Sequence, residues 1–197
     1  LVGVAGEFPE YFREGKGYGN LLSYPYFPDA DGDNHMVAGG ATIGGRYAPL
    51  DLDRITEDHR FSYYTNAPDS GVRPLQGGTM QPLDWGGFEH ERQKEDGKYS
   101  WARAPRYGGH VMEVGPAARV VNTYRAGTNP ALTDLVDRLN RRLGLSIDDY
   151  NSVLGRHLSR YVMASVTIDT LRRDIDQVTP GKLAYEERDV PRNAGGY

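Results

Sequence analysis

The spacing of apolar positions changes near residue 129 of the 197-residue chain. Before that point, most of the 25 glycines and 12 prolines are interleaved with aromatic residues, a mixture that favours short strands, turns and ordered loops over helices. Apolar runs predict strands at 21–26, 41–47 and 110–114. We therefore predict β and irregular structure for residues 1–128.

After residue 128 the apolar positions follow a helical period. Asn129 is a suitable N-cap and Pro130 a suitable first helical residue, and leucines at 132, 135, 139 and 143 precede Gly144. Ser146 predicts the start of a second helix over 147–176, about 45 Å long at ~1.5 Å per residue. Its apolar stripe is Leu154, Leu158, Tyr161, Ala164, Ile168, Leu171 and Ile175. Because a long helix is stabilised by burying such a stripe, we expect it to pack on another helix or subunit.

These patterns predict an α+β fold. The first half, rich in glycine and aromatic residues, is β or irregular, and the second half consists of long packed helices. We treat 1–197 as a segment of one domain, with a β and coil part at 1–128 and a helical part at 129–197.

The composition excludes several classes of protein. No run approaches the roughly 20 apolar residues of a membrane span, and the start resembles no signal peptide. The net charge is −4 with basic residues scattered among acidic ones, so we expect no nucleic-acid partner. Without cysteine, these residues form no disulfide, thiolate metal site or iron–sulfur ligation. The chain starts at Leu1 without methionine and ends in a loop-like composition, so we expect both ends to be internal to a longer polypeptide.

Candidate metal sites in the sequence are incomplete. Asp29, Asp31 and Asp33 alternate like the start of a calcium loop, but Asn34 replaces the turn glycine and Gly40 the closing carboxylate. We expect a solvated acidic turn there, with a calcium site as the alternative. No two of the five histidines, at 35, 59, 90, 110 and 157, have the HxxxH spacing. In Glu89-His90-Glu91 neighbouring side chains diverge, which favours a polar loop.

Motifs for nucleophilic or phosphate chemistry are also missing. There is no GxSxG elbow, and no Gly-Lys pair is followed by the Ser or Thr of a P-loop. The glycines of residues 15–19 alternate as in a turn. No two of the 27 carboxylates can be chosen as an acid and base pair without geometry. We therefore assign no catalytic, cofactor-binding or metal-binding residue in this chain.

Four segments carry a family resemblance. KYSWARAPRYGGHVMEVGPAAR at 98–119 resembles the KYSWxKAPRYxGxxMEVGPLAR segment of nickel–iron hydrogenase large subunits. GYGNLLSYPYFP at 17–28 is similar to the family's GxGNxLSYGxFP, ITEDHRFSYY at 55–64 to its IxExVxHSWY, and LGRHLSRYVMA at 154–164 to its LGRxAARxxEA helix. The sequence departs from these patterns at Phe61, Tyr63, Arg103 and Ala117, and Phe61 stands in place of a histidine. These departures indicate a divergent branch.

The resemblance implies an interior part of the hydrogenase large-subunit fold. The complete subunit would reversibly oxidise dihydrogen to protons and electrons, and pass the electrons to an iron–sulfur small subunit. Its cofactor would be nickel and iron, the iron with cyanide and carbon monoxide ligands, held by four cysteines in two CxxC pairs near the ends of the subunit. Neither pair occurs here, so we expect this chain alone to bind no metal and to be inactive. In the family an active-site arginine belongs to a later motif. The tail that contains Arg192 resembles only the residues that precede that motif, so we do not expect Arg192 to be this arginine.

Within this resemblance, the residues themselves favour a framework role. Tyr99, Trp101 and Tyr107 carry large apolar areas with a polar edge, whereas Arg106 and Arg119 can lock loops through forked hydrogen bonds. Glu113, in an apolar run, is the best candidate for a functional buried carboxylate in proton passage. Pairing with Arg106 or Arg119 would explain it equally well.

Two other functions compete with the hydrogenase interpretation. A non-catalytic relative would serve as a structural subunit of a redox complex, and CxxC motifs flanking this segment would separate the two. A β-rich calcium-binding module would account for the Tyr, Gly and Asp content, but it leaves the ordered motifs and the long helix unexplained. Any membrane association would depend on partner subunits, and the sequence does not determine the compartment.

Overall fold

The computed structural model describes residues 2–28, 35–63, 70–74 and 97–181. Within these residues, three small antiparallel sheets pack beside a group of helices. The strands are β1 Leu21–Ser23, β2 Tyr26–Pro28, β3 His35–Val37, β4 Gly40–Ile43, β5 Arg46–Pro49, β6 Ile55–Asp58, β7 Ser70–Val72 and β8 Ala104–Tyr107. The helices are α1 Val2–Glu7, α2 Pro116–Ala126, α3 Pro130–Leu143 and α4 Val153–Gln177, with 3-10 turns at Pro9–Phe12, Leu52–Arg54 and Ile147–Tyr150. The predicted α+β class is confirmed.

Two of the predicted strands are each divided in the structure. The sheet orders are β1-β4-β5, β2-β3 and β7-β6-β8. The predicted strand 41–47 is a hairpin, because Gly44 and Gly45 have φ of +55° and +78° and turn the chain between β4 and β5. The predicted strand 21–26 ends at Ser23, since Pro25 lacks the N–H that a ladder requires.

The third predicted strand, 110–114, is wrong. This segment crosses the end of β1 instead, where Glu113 N donates to Asn20 O at 2.8 Å and Leu22 N donates to Glu113 O at 2.9 Å. The contact is a single parallel bridge between Leu21 and Glu113. Gly115, with a φ of +110°, then turns the chain into α2.

Helix α2 lies inside the segment 1–128 that we predicted as β and coil. Pro116 occupies its first turn, and Gly127 ends it in the left-handed conformation with a φ of +66°. Its buried residues include Val120, Val121 and Asn122, because α2 packs against β1 and β4 on one side and the later helices on the other. This helix therefore connects the sheet to the helical part of the chain.

Helix α3 begins and ends as predicted. The Asn129 side chain accepts a hydrogen bond from Leu132 N at 3.1 Å, and Pro130 is in the first turn. Gly144 ends the helix with a φ of +66°. Leu132, Val136 and Leu139 form its buried face.

Helix α4 starts later than predicted. Ser146 caps the 3-10 turn Ile147–Tyr150, and α4 begins only after Ser152, whose hydroxyl accepts from Gly155 N at 3.1 Å. At ~1.5 Å per residue, Val153–Gln177 is about 37 Å long. The chain can turn here because Gly155 lies directly against the backbone of Tyr150, where a Cβ would come within 2.5 Å of Tyr150 Cα.

Our predicted stripe is not the face that α4 buries. The buried residues are Gly155, Leu158, Ser159, Val162 and Val166. Of the predicted stripe, Leu158 is buried and Leu154 is half-buried, whereas Tyr161, Ala164, Ile168, Leu171 and Ile175 are exposed. The small side chains at 155 and 159 allow α4 to approach its neighbours closely. The apolar periodicity did not predict this contact.

One apolar core connects α2, α3 and α4 with strands β1 and β3. Its members include Phe12, Leu21, Val37, Val120, Leu132, Val136, Tyr150, Leu158 and Val162. A smaller cluster of Leu22, Ala41 and Tyr107 lies on the other face of the β1-β4-β5 sheet. Among the described residues, no helix is apolar over a sufficient length to span a membrane.

Asp149 closes the capping box of the turn before α4. Its carboxylate accepts from Ser146 N and Ser146 Oγ, both at 2.9 Å, and from Lys16 Nζ at 3.4 Å. Burial alone would raise the pKa of Asp149, but these hydrogen bonds outweigh it and hold the pKa below its usual value.

We expect Asp149→Ala to lower the free energy of unfolding by about 1 kcal/mol at pH 7. Because the pKa of Asp149 is depressed in the folded state, its contribution is complete above the ordinary pKa of about 4 and is lost as pH falls further. The difference between wild type and variant, measured by urea denaturation, should therefore shrink below pH ~4. Lys16→Met, which leaves the capping box intact, should cost only a few tenths of a kcal/mol. A difference that is constant from pH 7 to pH 3 would contradict this account.

Candidate functional site

Glu113 and Arg156 form an ion pair that joins two of the motif segments. Arg156 Nε donates to Glu113 Oε1 at 2.6 Å and Nη2 donates to Glu113 Oε2 at 2.7 Å, a forked, charge-assisted pairing. Both side chains are partly buried, with 27% of Glu113 and 29% of Arg156 exposed. The partner of Glu113 is therefore an arginine on α4, which lies 43 residues away in sequence.

Arg156 also holds the segment that begins with alternating glycines. Its Nη1 donates to Gly15 O at 2.8 Å, and its Nη2 also donates to Asn151 Oδ1 at 3.1 Å. Gly17 lies against the pair, where a Cβ would be 3.1 Å from Glu113 Oε2. The guanidinium therefore uses all three of its nitrogens. The hydrogen bonds that Arg156 donates to the Glu113 carboxylate raise the pKa of Arg156, which keeps it charged.

Backbone hydrogen bonds bring the GYGNLLS segment to the same place. Besides the two main-chain bonds of Glu113 to Asn20 and Leu22, the Asn20 side chain donates to Val111 O at 3.2 Å. Segments 17–28, 98–119 and 154–164 thus meet at Glu113. We call this meeting point, with Gly15, Asn20, Glu113, Asn151 and Arg156, the motif junction.

The fourth motif segment reaches the junction through a sheet. Strand β6 pairs with β8, with Ile55 opposite Tyr107 and Asp58 opposite Ala104. Tyr107 is fully buried, its hydroxyl accepts from Asp51 N at 3.0 Å, and the Arg54 guanidinium lies 4.7 Å from its ring centre. Residues 55–58 are therefore held against residues 104–107, a few residues before Glu113.

Asn122 on α2 anchors the sheet beneath the junction. It is fully buried, and its amide nitrogen donates to Gly40 O at 2.8 Å and to Ser23 Oγ at 3.0 Å. Its amide oxygen accepts from Thr42 Oγ1 at 2.7 Å. Ser23 Oγ in turn donates to Ala38 O at 2.7 Å. These bonds satisfy polar groups that would otherwise be costly to bury.

Aromatic side chains of two motif segments form pairs at the surface. Phe61 stacks on Tyr99 with ring centres 5.8 Å apart, and Tyr63 meets Trp101 edge to face at 5.0 Å. The exposed fractions are 47% for Phe61, 72% for Tyr99 and 48% for Trp101. Phe61, which replaces the family's histidine, therefore forms part of a surface aromatic group.

The predicted partners of Glu113 lie elsewhere. Arg106 Nη1 donates to Pro105 O at 2.9 Å, and the Arg119 guanidinium lies 5.1 Å from the ring centre of Tyr26. The alternative that Glu113 pairs with Arg106 or Arg119 is thus wrong in the partner, because Arg156 at the start of α4 binds both oxygens of its carboxylate. In the sequence, Arg156 is marked only by its place in the LGR motif. No local sequence pattern indicates the role of Asn122.

The candidate metal residues are only partly described. Asp29, Asp31, Asp33, Asn34 and the Glu89-His90-Glu91 run lie outside the described residues, as does Arg192. Of the residues that are described, no group of three or more His, Asp or Glu side chains could hold a metal ion. His59 is fully buried, with its Nε2 3.2 Å from Glu57 Oε2. That this chain contains no catalytic, cofactor-binding or metal-binding residue therefore remains a prediction.

The resemblance to known proteins extends beyond the motif segments to nearly the whole chain. The family model described as nickel-dependent hydrogenase matches residues 1–193. The hydrogenase-1 large chain of Citrobacter freundii is 34% identical over 80% of this chain and 29% of its own length. The Escherichia coli K12 hydrogenase-1 large chain is 36% identical over 71% and 26%, and the Azotobacter chroococcum uptake hydrogenase large subunit is 31% identical over 88% and 33%.

Solved structures agree on the fold. The nickel–iron–selenium hydrogenase of Desulfomicrobium baculatum superposes with a TM-score of 0.75 at 24% identity, over 96% of this chain and 38% of that chain. The corresponding enzyme of Desulfovibrio vulgaris Hildenborough also gives 0.75. The chain spans between 26% and 33% of the length of these curated relatives. With a family model that covers 193 positions and motif segments that meet in space, this chain belongs to the nickel-dependent hydrogenase family.

Proposed function

We propose that this chain is part of the large subunit of a nickel–iron hydrogenase that reversibly oxidises dihydrogen to protons and electrons. The observation that carries the proposal is the family match over residues 1–193, which includes all four motif segments. Its likeness to hydrogenase large chains at 31–36% identity gives independent support. The complete subunit would pass electrons to an iron–sulfur small subunit.

In this proposal the chain supplies framework and no metal ligand. A nickel–iron centre with cyanide and carbon monoxide on iron needs soft thiolate donors, and the 197 residues contain no cysteine. The donor set of this chain therefore does not fit that centre, and we assign no step of hydrogen cleavage to its residues. What the chain contributes is the motif junction, which holds strand β1, the turn before α2 and the start of α4 in one arrangement.

The test is an assay of the complete subunit produced together with its small subunit. We expect hydrogen-dependent reduction of a viologen dye, and we expect it to disappear when either flanking CxxC pair is changed to serine. A complete subunit that assembles with its partner but neither binds nickel nor reduces the dye would instead support the non-catalytic relative. The serine variants serve as matched controls, because they leave residues 1–197 unchanged.

A further inference from the structure

Helix α4 has two apolar faces, and the described residues of this chain cover only one of them. The inner face, Gly155, Leu158, Val162 and Val166, packs in the core. The outer face consists of Tyr161, Ala164, Ile168, Leu171 and Ile175, all exposed, with exposed fractions of 51% for Ile168 and 68% for Ile175. At 3.6 residues per turn, the centres of the two faces are about 150° apart around the helix.

The apolar residues of the outer face have the spacing that is typical of a contact with another helix. Tyr161, Ile168, Leu171 and Ile175 recur at steps of seven, three and four, which gives a narrow seam like that of two helices packed side by side. From Tyr161 to Ile175 the seam is about 21 Å long at ~1.5 Å per residue. An isolated apolar residue at a surface is ordinary, but a continuous row on one helix face indicates a contact.

Charges beside the seam specify the chemistry of the partner. Arg160 and Arg172 flank the outer face on its two sides, and both are exposed. Arg160 donates only to Arg156 O among the hydrogen bonds found, and the described carboxylates form no ion pair with either arginine. A partner helix with Asp or Glu beside its own apolar stripe would complement both.

We propose that the outer face packs against an amphipathic, acid-flanked helix from the part of the same large subunit that lies outside residues 1–197. This inference rests on the proposed function, since it requires a longer subunit. The chain covers only 26–33% of its relatives' length and 38% of a structurally similar chain, so most of such a subunit must pack around this part. An almost uninterrupted apolar seam is also typical of the interior of a subunit. Transient interfaces between proteins are more polar.

Photo-crosslinking in the complete two-subunit enzyme tests this inference. Benzoylphenylalanine in place of Ile175 should yield, by peptide mapping, a crosslink within the large subunit to a helical peptide outside residues 1–197. The matched control at Arg173, which is on the inner side of α4, should give at least about fivefold less of that product, because two residues rotate the side chain by roughly 160°. A crosslink to another part of residues 1–197, to the small subunit or to a second copy, or no crosslink, would overturn the inference.

A second pair of variants compares the two sides of α4 in the complete enzyme. Ile175→Glu should lower the yield of complete enzyme about tenfold, since a carboxylate would be buried in the seam. Gln177→Glu, on the inner side, should leave the yield unchanged. Equal yields for the two variants would contradict the proposal. An enzyme with the predicted crosslink but no hydrogen oxidation would refute the proposed function and leave this inference standing.

Discussion

Asn122→Leu should lower the free energy of unfolding by about 4 kcal/mol, because it removes every hydrogen bond of a fully buried amide without leaving a large cavity. The variant leaves the Thr42 hydroxyl without the acceptor that now lies 2.7 Å away and Gly40 O without the amide at 2.8 Å. Each buried polar group that loses its partner costs about 1–3 kcal/mol. Urea denaturation of the purified chain measures the change.

A double-mutant cycle with Thr42→Val identifies the source of this loss. If unsatisfied hydrogen bonds cause it, Thr42→Val in the Asn122→Leu background should cost less than in wild type, with a coupling of at least about 1 kcal/mol. The reason is that the hydroxyl and the amide oxygen then disappear together. Additive costs would show that Asn122 contributes by shape alone.

Gly155→Ala should destabilise the chain by about 3 kcal/mol, although the same change stabilises most helices by about 1 kcal/mol. A Cβ at this position would lie 2.3 Å from Asp149 O and 2.5 Å from Tyr150 Cα, and both are backbone atoms that no rotamer change can move. The turn Ile147–Tyr150 must therefore move away from α4. Because Arg156 is the next residue, its pairing with Glu113 would shift as well.

The control for this prediction is a glycine and alanine exchange on the outer face of the same helix. Ala164→Gly should cost only about 1 kcal/mol, the usual helix-propensity difference, because Ala164 is exposed. Thermal unfolding of both variants gives the comparison. A Gly155→Ala chain as stable as wild type would mean that α4 does not approach the preceding turn closely.

The sequence predicted those elements whose signals are local. Helix α3 has a cap, a proline, a leucine period and a terminal glycine within 16 residues, and its predicted bounds agree with the structure. Helix α2 has the same kind of start and end, Gly115-Pro116 and Gly127, but the abundance of glycine and proline before it concealed the pattern. The 41–47 strand was divided because two adjacent glycines adopt positive φ.

The contacts of the motif junction could not be predicted from spacing. Glu113 and Arg156 are 43 residues apart, and Asn122 reaches Gly40 across 82 residues. Periodicity also selected the outer face of α4 as the buried one, because the face on which the helix actually packs combines Leu158, Val162 and Val166 with the small residues Gly155 and Ser159. The size of the side chains at the point where α4 approaches its neighbours determines which face is buried. The pattern of hydrophobic residues alone does not predict this. The family resemblance did identify the three segments that meet at Glu113.

We expect the motif junction to act as framework and not to carry protons. The direct test is the rate of hydrogen oxidation per bound nickel in the complete enzyme with Glu113→Gln. Loss of the forked pair should reduce the yield of nickel-loaded enzyme, and Arg156→Lys, which keeps the carboxylate, should reduce it similarly.

For both variants we expect a rate per nickel within about twofold of wild type, because in our proposal no proton passes through Glu113. A normal nickel content with a rate per nickel that falls about a hundredfold or more in Glu113→Gln, but not in Arg156→Lys, would contradict the framework role and make Glu113 a proton-transfer group.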